Sequence, residues 1–523
     1  MVTLITLMSC SQPMTTEAVG PSAIRVLTRA SLDLRGVRPS AEEARSVLTD
    51  PATLDALVAE FVADERFGAN VAGAWTGVYR TRSAISDLDD LDLAMEDEGT
   101  YIASVGEEPL RLLAYIADND RPYTDVVRAD YTVVDEVLAE RYPVDYPAGE
   151  TGWQVARYTD GRPPAGVLST AGFWWRYTST FNNANRGRAN QVSRIFLCND
   201  YLDRTVEFPT DLDLTDEAAV LNAVRTQEGC VSCHVTLDPL GAYMWGHYRE
   251  FSNDPVDLSH YYPDRERYWT EFGVSPAYFG QPGNDMEDLG LQMAADPRLI
   301  QCVTQQAWEL LLQRKATLDD TSALNTHREA LIAGGVTFRA LYRSILADPA
   351  YRVTEEQDPE KVPWKMLSAD QFASVVEDLT GYRMVIGGHD VIREDYYGMR
   401  TMAAGAGVDV GTAAPSPTMI EVEARIAEAA ASHVVTADAS SEAPRLFTEI
   451  ALTEVPAEGS EARVAQIQRL YLRVLGQDVA EQSEEVADAV SLWNDLYAAD
   501  GDPQLAWAGV LTALMRDPDF LYY

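Results

Sequence analysis

Histidine and cysteine are scarce in this 523-residue chain, at six and five. The six histidines are too dispersed to nominate a catalytic triad, and GxSxG, HExxH and a Walker loop are all missing. Positive charge is also short, with 41 Lys and Arg against 82 Asp and Glu and a net charge of −41. That balance excludes nucleic acid and an anionic membrane surface as partners. It reads as a solvated acidic surface suited to salty or extracellular surroundings; the second reading is a field that steers a cationic partner. No stretch approaches the roughly 18 consecutive apolar residues of a spanning helix, so the mature body is expected to be soluble. What is present is enough apolar sequence, 46%, to bury a large core, and a length that suggests two to four domains.

The amino terminus, MVTLITLMSCSQPMTTEAVG, carries a short apolar run, and Leu7-Met8-Ser9-Cys10 looks like a bacterial lipobox. No Lys or Arg precedes Arg25, so the positive region of a full signal is missing. The expectation is export with lipid on Cys10; membrane association would be through that anchor only.

Capping-box starts recur at Ser40/Glu43, Thr317/Asp320, Ser368/Gln371 and Asp478/Glu481, each before apolar residues at three-to-four spacing. Three of these starts fall in a degenerate repeat: an apolar helix, a Gly- or Arg-containing turn, a capped second helix, and a third closing on Asp-x-x-aromatic. The closing pairs are Asp64 with Phe67, Asp348 with Tyr351, and Asp517 with Phe520. One packing unit is used three times. Asp87–Glu98 is a carboxylate run without the order of a calcium loop, and Ala403–Pro417 reads as a Pro/Gly-rich linker. The expected division is 1–22 signal and tether, 23–160 helical, 161–355 with the cysteine motif and a helical unit, 356–440 helical with the linker, and 441–523 the last repeat.

The chemistry gathers in CVSCHVTLDPLG, Cys230 to Gly241. A CxxC followed at once by His has three readings: a redox dithiol, half of a zinc site, or the attachment point of a c-type haem. Zinc needs four ligands, and no second CxxC, HxxxH or CxxH occurs. A thioredoxin-like dithiol wants a strand before it, whereas DEAAVLNAVRTQEGC reads as a helix. The haem reading uses every residue of the motif: Cys230 and Cys233 as thioether donors and His234 as the axial ligand. The Pro239 carbonyl or the Asp238 side chain would take the other imidazole nitrogen, with a plain Pro-Leu-Gly turn as the alternative. Candidates for the sixth position are Met244, His247, Met286 and Met293, each otherwise core filler. Arg176, Arg186, Arg188 and Arg194 cluster upstream; Arg186 and Arg188 are candidates for haem propionates, with ordinary ion pairs as the competing use. Cys198 and Cys302 are left to bridge in an oxidising compartment or to remain buried thiols.

These residues resemble the exported planctomycete-type cytochrome-c-domain proteins, also found in myxobacteria-like genomes. The matching text runs through TRASLDLRGVRPSAEE, DRPYTDVVRADYTVVDEVLAERY, PPAGVLST with NRGRA and IFLC, CVSCHVTLDPLG, DPRLIQCVTQQAWELLL, FRALYRSILADPAYR, LSADQFASVVEDLTGY and RDPDFLYY. The resemblance implies a mainly α fold, a multi-helical cytochrome-c-like region embedded between repeated three-helix units. It implies one covalent haem c at Cys230, Cys233 and His234, and it weakens Met244 and His247 as ligands. The function expected is single-electron transfer in the periplasm or at the outer membrane, with envelope redox proteins as partners. Two alternatives stay open: a haem-dependent oxidoreductase with a vacant sixth position, and a surface scaffold in which the haem is structural.

Overall fold

The computed structural model describes residues 19–82, 95–203, 205, 213, 215–248, 259–354, 358, 361–394, 399–404, 414–457 and 459–523. Cys10 and most of the Ala403–Pro417 linker and the Asp87–Glu98 run lie outside them. The fold is mainly α. Among the described residues, strands are confined to three short antiparallel pairs, the longest joining Thr132–Val134 to Gln154–Ala156. No described helix is long and apolar enough to cross a membrane.

The repeat is visible in the backbone. Its first copy is Val19–Arg35, Ala41–Thr49 and Leu54–Val62; the second is Pro297–Leu312, Thr321–Ala333 and Phe338–Leu346; the third is Glu461–Leu470, Glu484–Asp500 and Pro503–Met515. Each first helix runs into a left-handed residue: Gly36 and Gly476, both at φ +69°, and Gln313 at φ +50°. In the third copy a π-turn, Tyr471–Leu475, intervenes before Gly476.

Each copy closes on the same device. The Asp side chain accepts the backbone N–H two residues on, at 2.9 Å for Asp64, 2.8 Å for Asp348 and 2.8 Å for Asp517. Its carbonyl accepts the N–H of the aromatic residue, at 3.1, 3.1 and 2.9 Å. The turn so formed drives Phe67, Tyr351 and Phe520 into full burial.

Capping boxes form at Ser40/Glu43, Thr317/Asp320 and Ser368/Gln371. The fourth is corrected: the helix starts later, capped by Ser483, whose side chain accepts from Val486 N at 3.3 Å. Val479 is buried and its carbonyl accepts from Gln468 Nε2 at 2.8 Å, which holds the Asp478 segment outside the helix.

Apolar side chains gather in two large clusters, one built almost wholly from residues 23–351 and one from 367–520. The first runs across the expected 160/161 division and the second across 440/441. Polar contacts join them. The Asp33 carboxylate pairs with Lys365 at 2.6 Å and accepts from Tyr351 and Tyr523 hydroxyls at 2.7 and 3.1 Å, all buried or nearly so. Arg82 bonds Asp370 at 2.5 Å and also pairs with Glu107. Between the clusters lies a cleft of about 1460 Å³, walled in part by Arg82, Arg194 and Arg400.

Candidate functional site

The CVSCH motif opens a helix, Glu228–Gly241, that follows the helix Glu217–Thr226. Asp216 caps that preceding helix through the N–H groups of Ala218 and Ala219. The motif helix runs through Pro239 and passes at Ala242 into a 3₁₀ segment ending at His247, so LDPLG is helix here and not a turn.

Cys230, Cys233, Leu237, Leu240 and Gly241 are buried, a spacing of three and four that sets one stripe of the helix against the core. The two cysteines head this stripe, one turn apart, as free thiols. His234 lies on its flank with its side chain 23% exposed.

His234 Nδ1 meets Asp238 Oδ1 at 2.7 Å, one helical turn on. Asp238 in turn takes a two-pronged bond from Arg186, Nε to Oδ1 at 2.8 Å and Nη2 to Oδ2 at 3.0 Å. Burial alone would raise the Asp238 carboxyl; hydrogen bonds from His234 and Arg186 outweigh it and hold the group below the ordinary carboxylate range. The side chain that orients the imidazole is therefore Asp238. The Pro239 carbonyl lies along the helix axis and does not serve.

This geometry leaves Nε2 as the imidazole nitrogen without a protein partner among the described residues. Also among them, no three or more His, Cys, Asp or Glu side chains converge as a metal-ligand set. Within the motif helix Val235 is 61% exposed, and the Tyr201 hydroxyl meets Thr236 Oγ1 at 2.8 Å. Cys230, Cys233 and His234 are the residues that a covalently bound haem would use here.

The four arginines divide. Arg186 binds Asp238, the ordinary ion pair weighed against a propionate. Arg188 is fully buried: Nε donates to Tyr177 O at 2.6 Å, Nη1 to His247 O at 2.9 Å, and the guanidinium lies 4.9 Å from the Trp174 ring. Burial pushes its pKa down to about 9. It ties the helix Arg186–Leu197 to the 3₁₀ segment after the motif, a structural use that takes it away from any propionate. Arg176 donates to Arg80 O, and Arg194 to Gln191, Val78 O and Tyr177.

Met244, Met286 and Met293 are buried in the first core. His247 is buried between Trp174 and Tyr261, at ring distances of 5.3 and 5.1 Å, and neither of its nitrogens has a hydrogen-bond partner among the described residues. Burial, then Arg162 and Arg188, hold it well below the ordinary histidine range.

Cys198 and Cys302 form a disulfide, with Cα atoms 5.3 Å apart. It joins the end of Arg186–Leu197 to Pro297–Leu312, and Gln306 Nε2 adds a bond to Ile195 O at 2.9 Å. The helix that supplies Arg186 is thereby fixed at its C-terminal end. Sequence reading missed the Arg186 to Asp238 link, because the two lie 52 residues apart; the signal available was a lone basic cluster in an acidic chain. No family model, no curated protein and no solved structure matches this chain.

Proposed function

We propose that this chain is an exported monohaem c-type cytochrome-like protein that transfers single electrons in the cell envelope. Cys230 and Cys233 would hold haem c through thioethers, and His234 would be the axial ligand. The observation that carries the reading is the aligned set His234, Asp238 and Arg186 beside two unlinked thiols on one helix stripe. Such a haem supplies a one-electron couple whose potential follows ligand, burial and hydrogen bonding.

The protein's own part is orientation. Asp238 fixes the proton on Nδ1, leaves the Nε2 lone pair outward, and raises the basicity of the imidazole. Arg186 keeps Asp238 ionised, and the disulfide-pinned helix keeps Arg186 in place. The Cys198–Cys302 disulfide also supports an oxidising compartment, where c-type haem is attached. Export, lipid on Cys10 and envelope redox partners complete the proposal, the acidic surface suiting a cationic partner.

The test is expression with the c-type haem maturation machinery, followed by optical spectra and a redox titration. A low-spin six-coordinate ferric form with reversible one-electron reduction is the expected result. A high-spin form that shifts on adding cyanide or peroxide would move the reading to a haem enzyme. A haem without measurable electron exchange would move it to a scaffold.

A further inference from the structure

Away from the motif, a small pocket lies where the first helix of the first repeat meets the turn of the third. Its walls include Thr28, Arg29, Arg38, Gly476 and Asp519, with Trp364 among the more exposed. Arg38 is 2% exposed and Arg29 3%. Arg38 Nη2 donates to Asp519 O and Phe520 O, both at 3.0 Å, while Nε and Nη1 are buried without an acceptor among the described residues. Arg29 Nη1 donates to Tyr351 O at 2.6 Å and Val353 O at 3.2 Å, and its Nε has no acceptor among them. Thr28 Oγ1, which in a helix ordinarily bonds a carbonyl of the preceding turn, is buried without a partner.

These orphaned groups share one space. A Cβ on Gly476 would stand 2.8 Å from Thr28 Oγ1 and 3.6 Å from Arg38 Nη1. Gly476 adopts the left-handed conformation and, lacking a side chain, keeps that space open. Arg25, Arg29 and Arg38 outnumber the one acidic side chain of the wall, Asp519, in a chain with twice as many acids as bases, while Asp33 acts on Arg29 from behind. Asp519 Oδ2 is already taken by Gln477 Nε2 at 2.6 Å, and Arg473 adds positive charge near Arg38. Buried N–H donors on charged groups are seldom left without acceptors.

We propose that this pocket binds a small oxyanion, a carboxylate or phosphate group, held by Arg38 and Thr28 over Gly476. Trp364, 40% exposed with the Arg25 guanidinium 5.7 Å from its ring, offers a flat apolar face for the body of an organic anion. Because its walls belong to the first and third repeats, occupation would tighten the contact between the two cores. The inference does not depend on the haem reading.

The experiment is calorimetric titration of the full-length chain with sodium phosphate, acetate and succinate at constant ionic strength set by chloride. It is run on wild type, Thr28→Val and Arg38→Lys, with circular dichroism on each. Thr28→Val replaces an unbonded hydroxyl by a methyl group of the same shape and is expected to fold as wild type. One-to-one saturable binding of at least one anion, weakened about 10-fold or more in Thr28→Val, is the expected result. Preference for phosphate or for a carboxylate then names the class. Absence of saturable binding to wild type by all three anions, or equal affinity in wild type and both variants, overturns the proposal.

Discussion

Asp238 is the residue on which the site turns, since one carboxylate orients His234 and neutralises Arg186. Replacing it by Asn keeps the shape but removes the charge both partners use. Asp238→Asn should cost about 1–3 kcal/mol, the scale of hydrogen bonds to charged groups, and should weaken His234 as a ligand by about 10-fold or more while the thioether-bound haem stays on the chain. Urea unfolding and the spin state in the ferric optical spectrum check these two outcomes. The sign of its pH dependence follows from a carboxyl held below its ordinary range: the unfolded chain takes up the proton first. The contribution is complete above the ordinary carboxylate pKa of about 4 and fades as pH falls through the folded value. Wild type should therefore lose more stability than Asp238→Asn on acidification below about pH 4.

His247 gives a case of the same sign at higher pH. It is a base held neutral by burial, facing Arg162 and Arg188, with Trp174 and Tyr261 against its ring. Below the ordinary histidine pKa of about 6.5 the unfolded state binds a proton that the folded state refuses, so stability falls by up to about 1.4 kcal/mol per pH unit. His247→Phe keeps a stacked ring and should remove that slope. His327, also lowered mainly by burial, is common to both proteins. Unfolding midpoints at pH 5, 6 and 7 compare them directly; parallel curves would contradict the neutral assignment.

At the scale of elements, the three closing turns are equivalent in bonds though not in sequence. Asp517→Ala removes the acceptor for Asp519 N and should cost about 1 kcal/mol, as lost caps do. Phe520→Ala empties a fully buried site and should cost about 3–5 kcal/mol; chemical denaturation ranks the two. This level was the most legible in the sequence, because a cap, a left-handed turn and an Asp-x-x-aromatic close are local devices with local signatures. Ser40/Glu43 and Ser368/Gln371 show it. Asp478 shows the limit: a valid capping pattern lost to Ser483 because Val479 is held by a tertiary contact. The motif helix was legible as chemistry and less so as shape, since a Pro-Leu-Gly string that invites a turn is carried inside a helix whose Leu237 and Leu240 are buried in the core.

At the scale of the whole molecule, long-range polar pairing was not legible. Asp33 and Lys365 are 332 residues apart, yet they form a buried pair joining the two cores. Asp33→Asn leaves Lys365 buried without its counter-charge and should cost about 3–5 kcal/mol. Asp130→Asn, at an exposed pair with Arg157, should cost under about 1 kcal/mol. Equal effects in thermal melts would contradict the role given to the buried pair. The same cross-chain logic applies to Cys198 and Cys302 and to Arg186 and Asp238, each joining segments whose relation only the fold reveals.

The central claim is that Cys230 and Cys233 carry iron porphyrin through sulfur. It is tested most directly by a pyridine haemochrome spectrum of the exported, acid-acetone-washed protein, wild type beside Cys233→Ser. The account predicts a double-thioether c-type spectrum at one haem per chain in wild type, and its loss or a shift to a single-thioether form in the variant. A colourless wild-type protein, or a porphyrin extracted completely by acid acetone, would contradict it.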